Sequence, residues 1–185
     1  HWKISKLLKT GNDGIITFTS YRSIGIHSSI LGPGHAIINT GVISVGDSAD
    51  ATNPSVGIYT DNVNDTVSNY GEVKAGNQSI GIYGTNVWLG AASKTIVGDN
   101  AVGVYSSGGN VNIDNGAELK VGNGESVGVY YSGSNGNIIS NTSNITIGDS
   151  SFGFVIKGGS GNNFESNGTG TVNLGNDAVF IYSND

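Results

Sequence analysis

Apolar and polar residues follow a short pattern that recurs along the chain. Residues 55–59 read SVGIY, and near-identical copies begin at Ser79, Ala101 and Ser126. Counting all its versions, the pattern begins at seven positions that lie 22 to 32 residues apart: Ser23, Ser55, Ser79, Ala101, Ser126, Ser151 and Ala178. A repeat at this spacing is typical of a solenoid, in which each repeat forms one turn and packs on the next.

Before each later copy of the SVGIY pattern, the sequence contains a Gly followed by Asp or Asn, and the residues that precede this pair predict a strand. Both residues tolerate positive φ, so these pairs predict tight turns. They stand at Gly46-Asp47, Gly76-Asn77, Gly98-Asp99, Gly122-Asn123, Gly148-Asp149 and Gly175-Asn176. The residues one and three before each Gly are mostly apolar and the residue between them is mostly polar, which predicts a half-buried strand.

A further strand is indicated by counting back from the same Gly. Nine positions before it stands an apolar residue in five repeats: Ile37, Val67, Leu89, Ile113 and Ile139. Seven positions before it stands Asn in four repeats, at Asn39, Asn69, Asn115 and Asn141. Stacked amides of this kind predict a hydrogen-bonded ladder. Within SVGIY itself, alternation predicts Val56 and Ile58 on the inner face, and Gly57 and Tyr59 on the outer face.

Three short strands in each repeat of about 24 residues predict an all-β fold, a right-handed parallel β-helix. We expect residues 23–182 to form the repeated rungs and residues 1–22 to form an irregular segment or the first rung. Because the chain does not begin with Met and its last copy is unfinished, we expect residues 1–185 to be one β-helix segment of a longer protein. The fold requires that a column of apolar residues lie directly over one another: Val56, Ile80, Val102 and Val127.

Composition limits the partners of the chain. Charged residues are 12% of the sequence and the net charge is −6, so no basic stripe exists for nucleic acid or an anionic membrane surface. The lack of cysteine excludes a disulfide scaffold and a thiolate zinc site. No apolar run of about 18 residues is present, so we expect no transmembrane helix. We expect no cofactor.

Two motifs suggest chemistry that their context does not support. Residues 124–128 match G-x-S-x-G, but Ser126 is the first residue of a repeat and no helix follows it, so we expect no catalytic residue. Residues 158–164 resemble a calcium-binding nonapeptide, but Asn163 replaces the Asp and the unit occurs once, so we expect no metal site. The regular spacing of Asp47, Asp99 and Asp149 indicates a repeat feature rather than a unique site.

Aromatic residues are the candidates for binding. Tyr59, Tyr83, Tyr105 and Tyr130 form a predicted outward column, whose rings either stack on one another over the glycine backbone, the interpretation we favour, or stack on sugar rings or peptide. Trp88 is predicted to point outward between Thr66 and Asn112. It is either a contact residue for a partner or is covered by a neighbouring segment of a longer chain.

The repeated unit resembles the passenger repeats of large fusobacterial type V autotransporter adhesins of the RadD type. The resemblance covers about residues 23–182 and rests on the four motifs 55–59, 79–83, 101–105 and 126–130, with their Gly-Asp or Gly-Asn partners. It implies a secreted β-helix displayed at the bacterial cell surface and anchored in the outer membrane through a C-terminal barrel that would follow this segment. None of the family's binding residues maps onto this segment.

Together these features predict a non-catalytic adhesive rod. The resemblance implies attachment to host cells or other bacteria, through a surface protein or a glycan. The alternative is a carbohydrate-active β-helix enzyme, a polysaccharide lyase or hydrolase. That alternative requires several carboxylates to converge on one groove with a basic residue, whereas evenly laddered carboxylates speak against it.

Overall fold

The chain winds into three parallel β-sheets of seven strands each. The structure, a computed structural model, describes residues 9–29, 32–141, 143–168 and 170–184, so residues 1–8 of the predicted first segment lie outside the described part. The described residues form 21 strands and no helix. Three consecutive strands, one in each sheet, make one rung of a β-solenoid. The predicted parallel β-helix with three strands per rung is therefore confirmed.

Each sheet contains every third strand of the chain. Sheet 1 consists of β1 (Lys9–Asn12), β4 (Ala36–Asn39), β7 (Thr66–Asn69), β10 (Asn86–Leu89), β13 (Val111–Ile113), β16 (Asn137–Asn141) and β19 (Asn163–Asn167). Sheet 2 consists of β2 (Ile15–Phe18), β5 (Val42–Val45), β8 (Glu72–Ala75), β11 (Lys94–Val97), β14 (Glu118–Val121), β17 (Asn144–Ile147) and β20 (Val172–Leu174). Sheet 3 consists of β3 (Ile24–Ser28), β6 (Val56–Thr60), β9 (Ile80–Gly84), β12 (Val102–Ser106), β15 (Val127–Tyr131), β18 (Phe152–Lys157) and β21 (Val179–Asn184).

Equivalent residues of successive rungs pair in register. The required column is present, because Val56 pairs with Ile80, Ile80 with Val102 and Val102 with Val127. Ile24 and Val179, six rungs apart in sheet 3, are separated by 155 residues, or about 26 per rung. Inside the coil, apolar columns form one core, such as the column Ile43, Val73, Leu119 and Ile145 of sheet 2, in which Thr95 stands between Val73 and Leu119.

For the first half of the SVGIY strand, the predicted assignment of residues to the inner and outer faces is wrong. Ile58 is fully buried in the core, as predicted. Val56 is also buried, with 5% of its surface exposed, but it does not belong to the core cluster. Gly57 faces inward, since a Cβ there would lie 2.7 Å from Cγ1 of the core residue Val73. The strand thus presents two successive residues to the interior, and the residue before the glycine shares the outer face with Tyr59. Strict alternation fails because a glycine lets the strand bend.

The repeated glycine is required by a close approach between rungs. A Cβ at Gly57 would lie 2.6 Å from the carbonyl oxygen of Gly81, and a Cβ at Gly103 would lie 2.6 Å from that of Gly128. The seventh position of this column holds Phe180, whose ring packs edge-on against Phe154 at 5.4 Å between ring centroids. Phenyl rings thus fill the core at the last described rung.

The predicted Asn ladder is shorter than expected. Asn12 donates through Nδ2 to Oδ1 of Asn39 at 3.0 Å, and Asn39 donates in the same way to Asn69 at 2.8 Å. The next residue in this column is Leu89, not an Asn. Asn69 instead donates to the Lys94 carbonyl at 3.1 Å and to Oγ1 of buried Thr95 at 3.4 Å. Thr95 therefore interrupts the apolar column of sheet 2 where the last amide needs acceptors.

A turn of variable length explains this error. Residues 70–71 connect β7 to β8, but residues 90–93 connect β10 to β11. Counting back a constant number from the Gly therefore places Asn115 in the ladder, although it lies in an exposed turn. Asn141 likewise lies outside this ladder and accepts from Asn167 at 3.4 Å. The same shift makes Val87, rather than Leu89, the neighbour of Val67.

A second ladder explains the Gly-Asp and Gly-Asn pairs. Oδ1 of Asp47 accepts the backbone N–H of Asn77 at 2.8 Å, and Oδ1 of Asn77 accepts that of Asp99 at 2.8 Å. The same contact continues through Asn123, Asp149 and Asn176 at 2.7 to 2.9 Å. The pair itself does not adopt positive φ. In five of the six rungs the next residue does, with φ of 53° to 66°, at Gln78, Asn100, Gly124, Ser150 and Asp177.

Candidate binding surfaces

The four tyrosines of the predicted column stack face to face on the outside of sheet 3. Ring centroids of Tyr59 and Tyr83 lie 4.9 Å apart, and both Tyr83 to Tyr105 and Tyr105 to Tyr130 measure 5.0 Å, with interplanar angles of 17° to 21°. Burial, and next the neighbouring rings of Tyr59 and Tyr105, raise the pKa of Tyr83 above its ordinary value. Because each inner ring is covered on both faces, sugar stacking on Tyr83 or Tyr105 has no free face to use.

The column is bounded by different residues at its two ends. His27 packs edge-on against Tyr59 at 5.2 Å. At the other end Val155 pairs with Tyr130 and in turn with Tyr182, so the ring column skips one rung. An open groove of about 540 Å³ lies at this gap and is lined by Glu125, Val127, Tyr130, Phe152, Val155, Lys157 and Tyr182.

Trp88 lies on the outer face of sheet 1, as predicted, and its side chain is 39% exposed. Its neighbours in the sheet are Ser68 and Asn112; the predicted neighbour Thr66 pairs with Asn86 instead. A groove of about 250 Å³ runs beside the indole and is lined by Thr66, Asn86, Val87, Trp88, Asn110 and Asn112. Amide side chains beside an exposed indole offer both donors and acceptors to a polar ligand.

Tyr70 accompanies Trp88 and was not singled out from the sequence. The two ring centroids lie 6.2 Å apart with an interplanar angle of 54°, and Tyr70 is 42% exposed. Gly90 makes room for this ring, since a Cβ there would lie 2.2 Å from Cδ1 of Tyr70. Trp88 and Tyr70 together form the exposed surface that we call the Trp88–Tyr70 platform. The repeat gave no signal for Tyr70, because the equivalent positions in the neighbouring rungs hold Thr40 and Gly90.

The serine of the G-x-S-x-G motif is part of the scaffold. Ser126 is fully buried, and its Oγ donates to the carbonyl oxygens of Asn123 at 2.8 Å and Gly98 at 3.1 Å. The same Oγ accepts the backbone N–H of Ala101 at 3.2 Å. These contacts close the turn between sheets 2 and 3, which explains the recurrence of serine at the start of the repeat.

The acidic side chains are distributed along the rod. Asp47, Asp99 and Asp149 each hold a backbone N–H of the next rung. Glu72 pairs with Lys74 of the same strand at 2.6 Å. In the described part of the chain, no group of three or more His, Asp or Glu side chains is placed to hold a metal ion. The segment that resembles a calcium-binding repeat forms a turn, and Asn162 donates from it to the Gly133 carbonyl at 2.9 Å.

A buried polar cluster surrounds Asp65 and was not foreseen from the sequence. Its fully buried carboxylate accepts from Oγ1 of Thr60 at 2.5 Å, from Oγ of Ser28 at 3.3 Å and from the backbone N–H of His35 at 2.8 Å. Nδ1 of His35 lies 3.2 Å from the same carboxylate. The hydroxyls contact the Asp and not the imidazole, so the order needed for a nucleophile, a base and an acid is not formed. The cluster anchors the connections around β4 and β7.

Comparison with known proteins adds nothing to this picture. No protein-family model matches the chain, and neither a curated protein nor a solved structure matches it significantly. Among the described residues there is no helix of the length and apolarity needed to cross a membrane. The resemblance to autotransporter adhesins therefore stays a prediction that rests on the repeat motifs alone.

Proposed function

We propose that this chain is a segment of a non-catalytic adhesive rod, displayed at the bacterial surface, that attaches to host cells or to other bacteria. The observation that carries the proposal is the Trp88–Tyr70 platform. Away from the first and last rungs, the large hydrophobic residues exposed in the described part of the chain are Val63, Tyr70 and Trp88. Two adjacent exposed aromatic residues beside an amide-lined groove have the composition of an interaction hot spot.

The distribution of acidic residues favours attachment over catalysis. A glycoside hydrolase or lyase needs a pair of carboxyl groups facing one groove. Here Asp47, Asp99 and Asp149 follow one another in a column and are engaged with the backbone of the next rung. This even distribution supports a scaffold role for those carboxylates.

The shape of the molecule suits a spacer that carries a binding surface. Seven rungs at about 4.8 Å each give a column roughly 30 Å long. Every rung repeats the same core, so a longer rod needs only more rungs of the same kind. The Trp88–Tyr70 platform supports attachment, and the resemblance of the repeat motifs to autotransporter passengers supports the location at the bacterial surface.

Cell-binding measurements test this proposal. The purified chain is fluorescently labelled and applied to host cells and to bacteria, and the concentration for half-maximal binding is compared with that of Trp88→Ala and Tyr70→Ala. Because hot-spot truncations cost about 2 kcal/mol or more, we expect each variant to bind at least tenfold more weakly. Tyr21→Ala is the matched control, since Tyr21 is 64% exposed and lies in the first rung. Unaltered binding by Trp88→Ala, with folding intact, would contradict the proposal.

A further inference from the structure

The aromatic column of sheet 3 has one vacant position. Four tyrosine rings stack at 4.9 to 5.0 Å, and the next rung holds Val155 instead of a ring. Tyr182 follows one rung later. Tyr130 and Tyr182 are therefore two rungs apart, about 9.6 Å at the usual strand spacing. Aromatic faces accept another ring at about 4.5 to 7 Å between centroids, so this gap holds one ring and not two.

The sides of the gap are built from neighbouring side chains. Val155, which is 8% exposed, forms the floor. Phe152 packs edge-on against Tyr182, with 6.3 Å between ring centroids and an interplanar angle of 71°, and so supports that ring from the side. Glu125 and Lys157 also line the groove and are exposed. The gap is thus an apolar slot with one acceptor group and one donor group at its rim.

We propose that the slot formed by Tyr130, Val155 and Tyr182 binds one pyranose ring of a neutral glycan. The C–H faces of the sugar stack on the two tyrosine faces, while Glu125 accepts from ring hydroxyls and Lys157 donates to them. One carboxylate and one ammonium cancel each other, so the rim favours neither an anionic nor a cationic ligand. An aromatic side chain of a partner protein matches the slot less well, because a phenyl ring has no hydroxyls for the two rim groups.

This inference rests on the proposed function and deepens it, since it names a glycan as the class of partner. It uses a different face of the rod, because Trp88 belongs to sheet 1 and the slot to sheet 3. The two proposals can therefore fail separately.

The experiment uses the full chain on an array of neutral oligosaccharides of glucose, galactose, mannose, fucose and N-acetylglucosamine, with an array of Trp- and Tyr-containing peptides beside it. Glycans that bind are then titrated by calorimetry. Val155→Tyr places in the slot the residue that five other rungs carry at this position, so the fold is retained while the slot is filled. We expect Val155→Tyr to weaken binding at least tenfold. Tyr182→Ala, which removes one stacking face at an exposed position, should do the same.

Two controls separate the slot from other effects. Tyr59→Ala removes a ring from the same column several rungs away and should leave glycan affinity within twofold of the wild type. Trp88→Ala should also retain glycan binding in the slot, even where it abolishes attachment to cells. The inference is overturned if no neutral glycan on the array binds, if Val155→Tyr and Tyr182→Ala both bind like the wild type, or if aromatic peptides alone occupy the slot.

Discussion

Replacing Asn77 by Asp should test whether the alternation of Asp and Asn in the second ladder, which runs through positions 47, 77, 99, 123, 149 and 176, limits charge repulsion between rungs. The ladder alternates Asp and Asn from rung to rung, so each carboxylate has amides as its nearest neighbours in the column. Asn77→Asp keeps the Oδ1 acceptor but places three carboxylates in successive rungs, at positions 47, 77 and 99. Adjacent positions are about 4.8 Å apart, so each new pair repels by about 0.9 kcal/mol in a water-like dielectric.

Two such pairs predict a loss of about 2 kcal/mol in the free energy of unfolding at 10 mM salt. At 1 M salt the screening length falls to about 3 Å, and the loss should fall well below 1 kcal/mol. Urea unfolding followed by circular dichroism at both salt concentrations measures this difference. Gln78→Glu is the matched control, because it introduces the same charge one residue away from the ladder. Equal effects of the two substitutions at both salt concentrations would refute the electrostatic explanation.

Three further predictions follow from the columns of the rod. Gly103→Ala should destabilise the chain by several kcal/mol in urea unfolding, because its Cβ meets a backbone carbonyl, whereas Gly14→Ala, with no contact under 3.9 Å, should cost less than about 1 kcal/mol. Asn39→Ala should cost about 2 to 4 kcal/mol, because it leaves buried ladder partners unsatisfied, whereas Asn115→Ala in its exposed turn should stay within about 0.5 kcal/mol. The pKa of Tyr83 is raised in the folded state, so its stabilising contribution is complete below about pH 10 and is lost as the pH rises through the folded pKa. The melting temperature of Tyr83→Phe should therefore fall less above about pH 10 than that of the wild type.

The rung and its register could be predicted because each repeat meets the same surroundings as its neighbours. The recurrence of Tyr59 at Tyr83 and Tyr105 indicates stacking without any knowledge of the coordinates, and the rings do stack. A column needs only equivalent positions, and these are visible in the sequence. The strand count per rung followed from the same regularity.

Other features could not be predicted because they depend on local departures from that regularity. The inward position of Gly57 requires a bend that alternation does not anticipate. The end of the Asn ladder at Asn69 depends on a turn that lengthens in the next rung, which a constant spacing hides. The pairing of Tyr70 with Trp88 joins two rungs and relies on the missing side chain of Gly90.

The candidate site at Val155 could not be predicted from the sequence for the same reason. In the sequence, Val155 is only an imperfect copy of the tyrosine position. It leaves a slot only because the rings of Tyr130 and Tyr182 lie in the adjacent rungs and Phe152 lies beside them. A single substitution in a stacked column changes what its neighbours expose, so departures from the repeat are where ligand contact is to be sought.

The pairing of every strand with the rung above it also determines how the rod responds to pulling. Tension along the long axis acts parallel to the hydrogen bonds between rungs, so the bonds of one rung can open before those of the next are loaded. Each rung that uncoils adds about 26 residues of extended chain, or about 90 Å, in exchange for one strand spacing. We expect single-molecule extension to record steps of that length, and in the proposed adhesive role such stepwise lengthening would keep a cell attached while flow pulls on it.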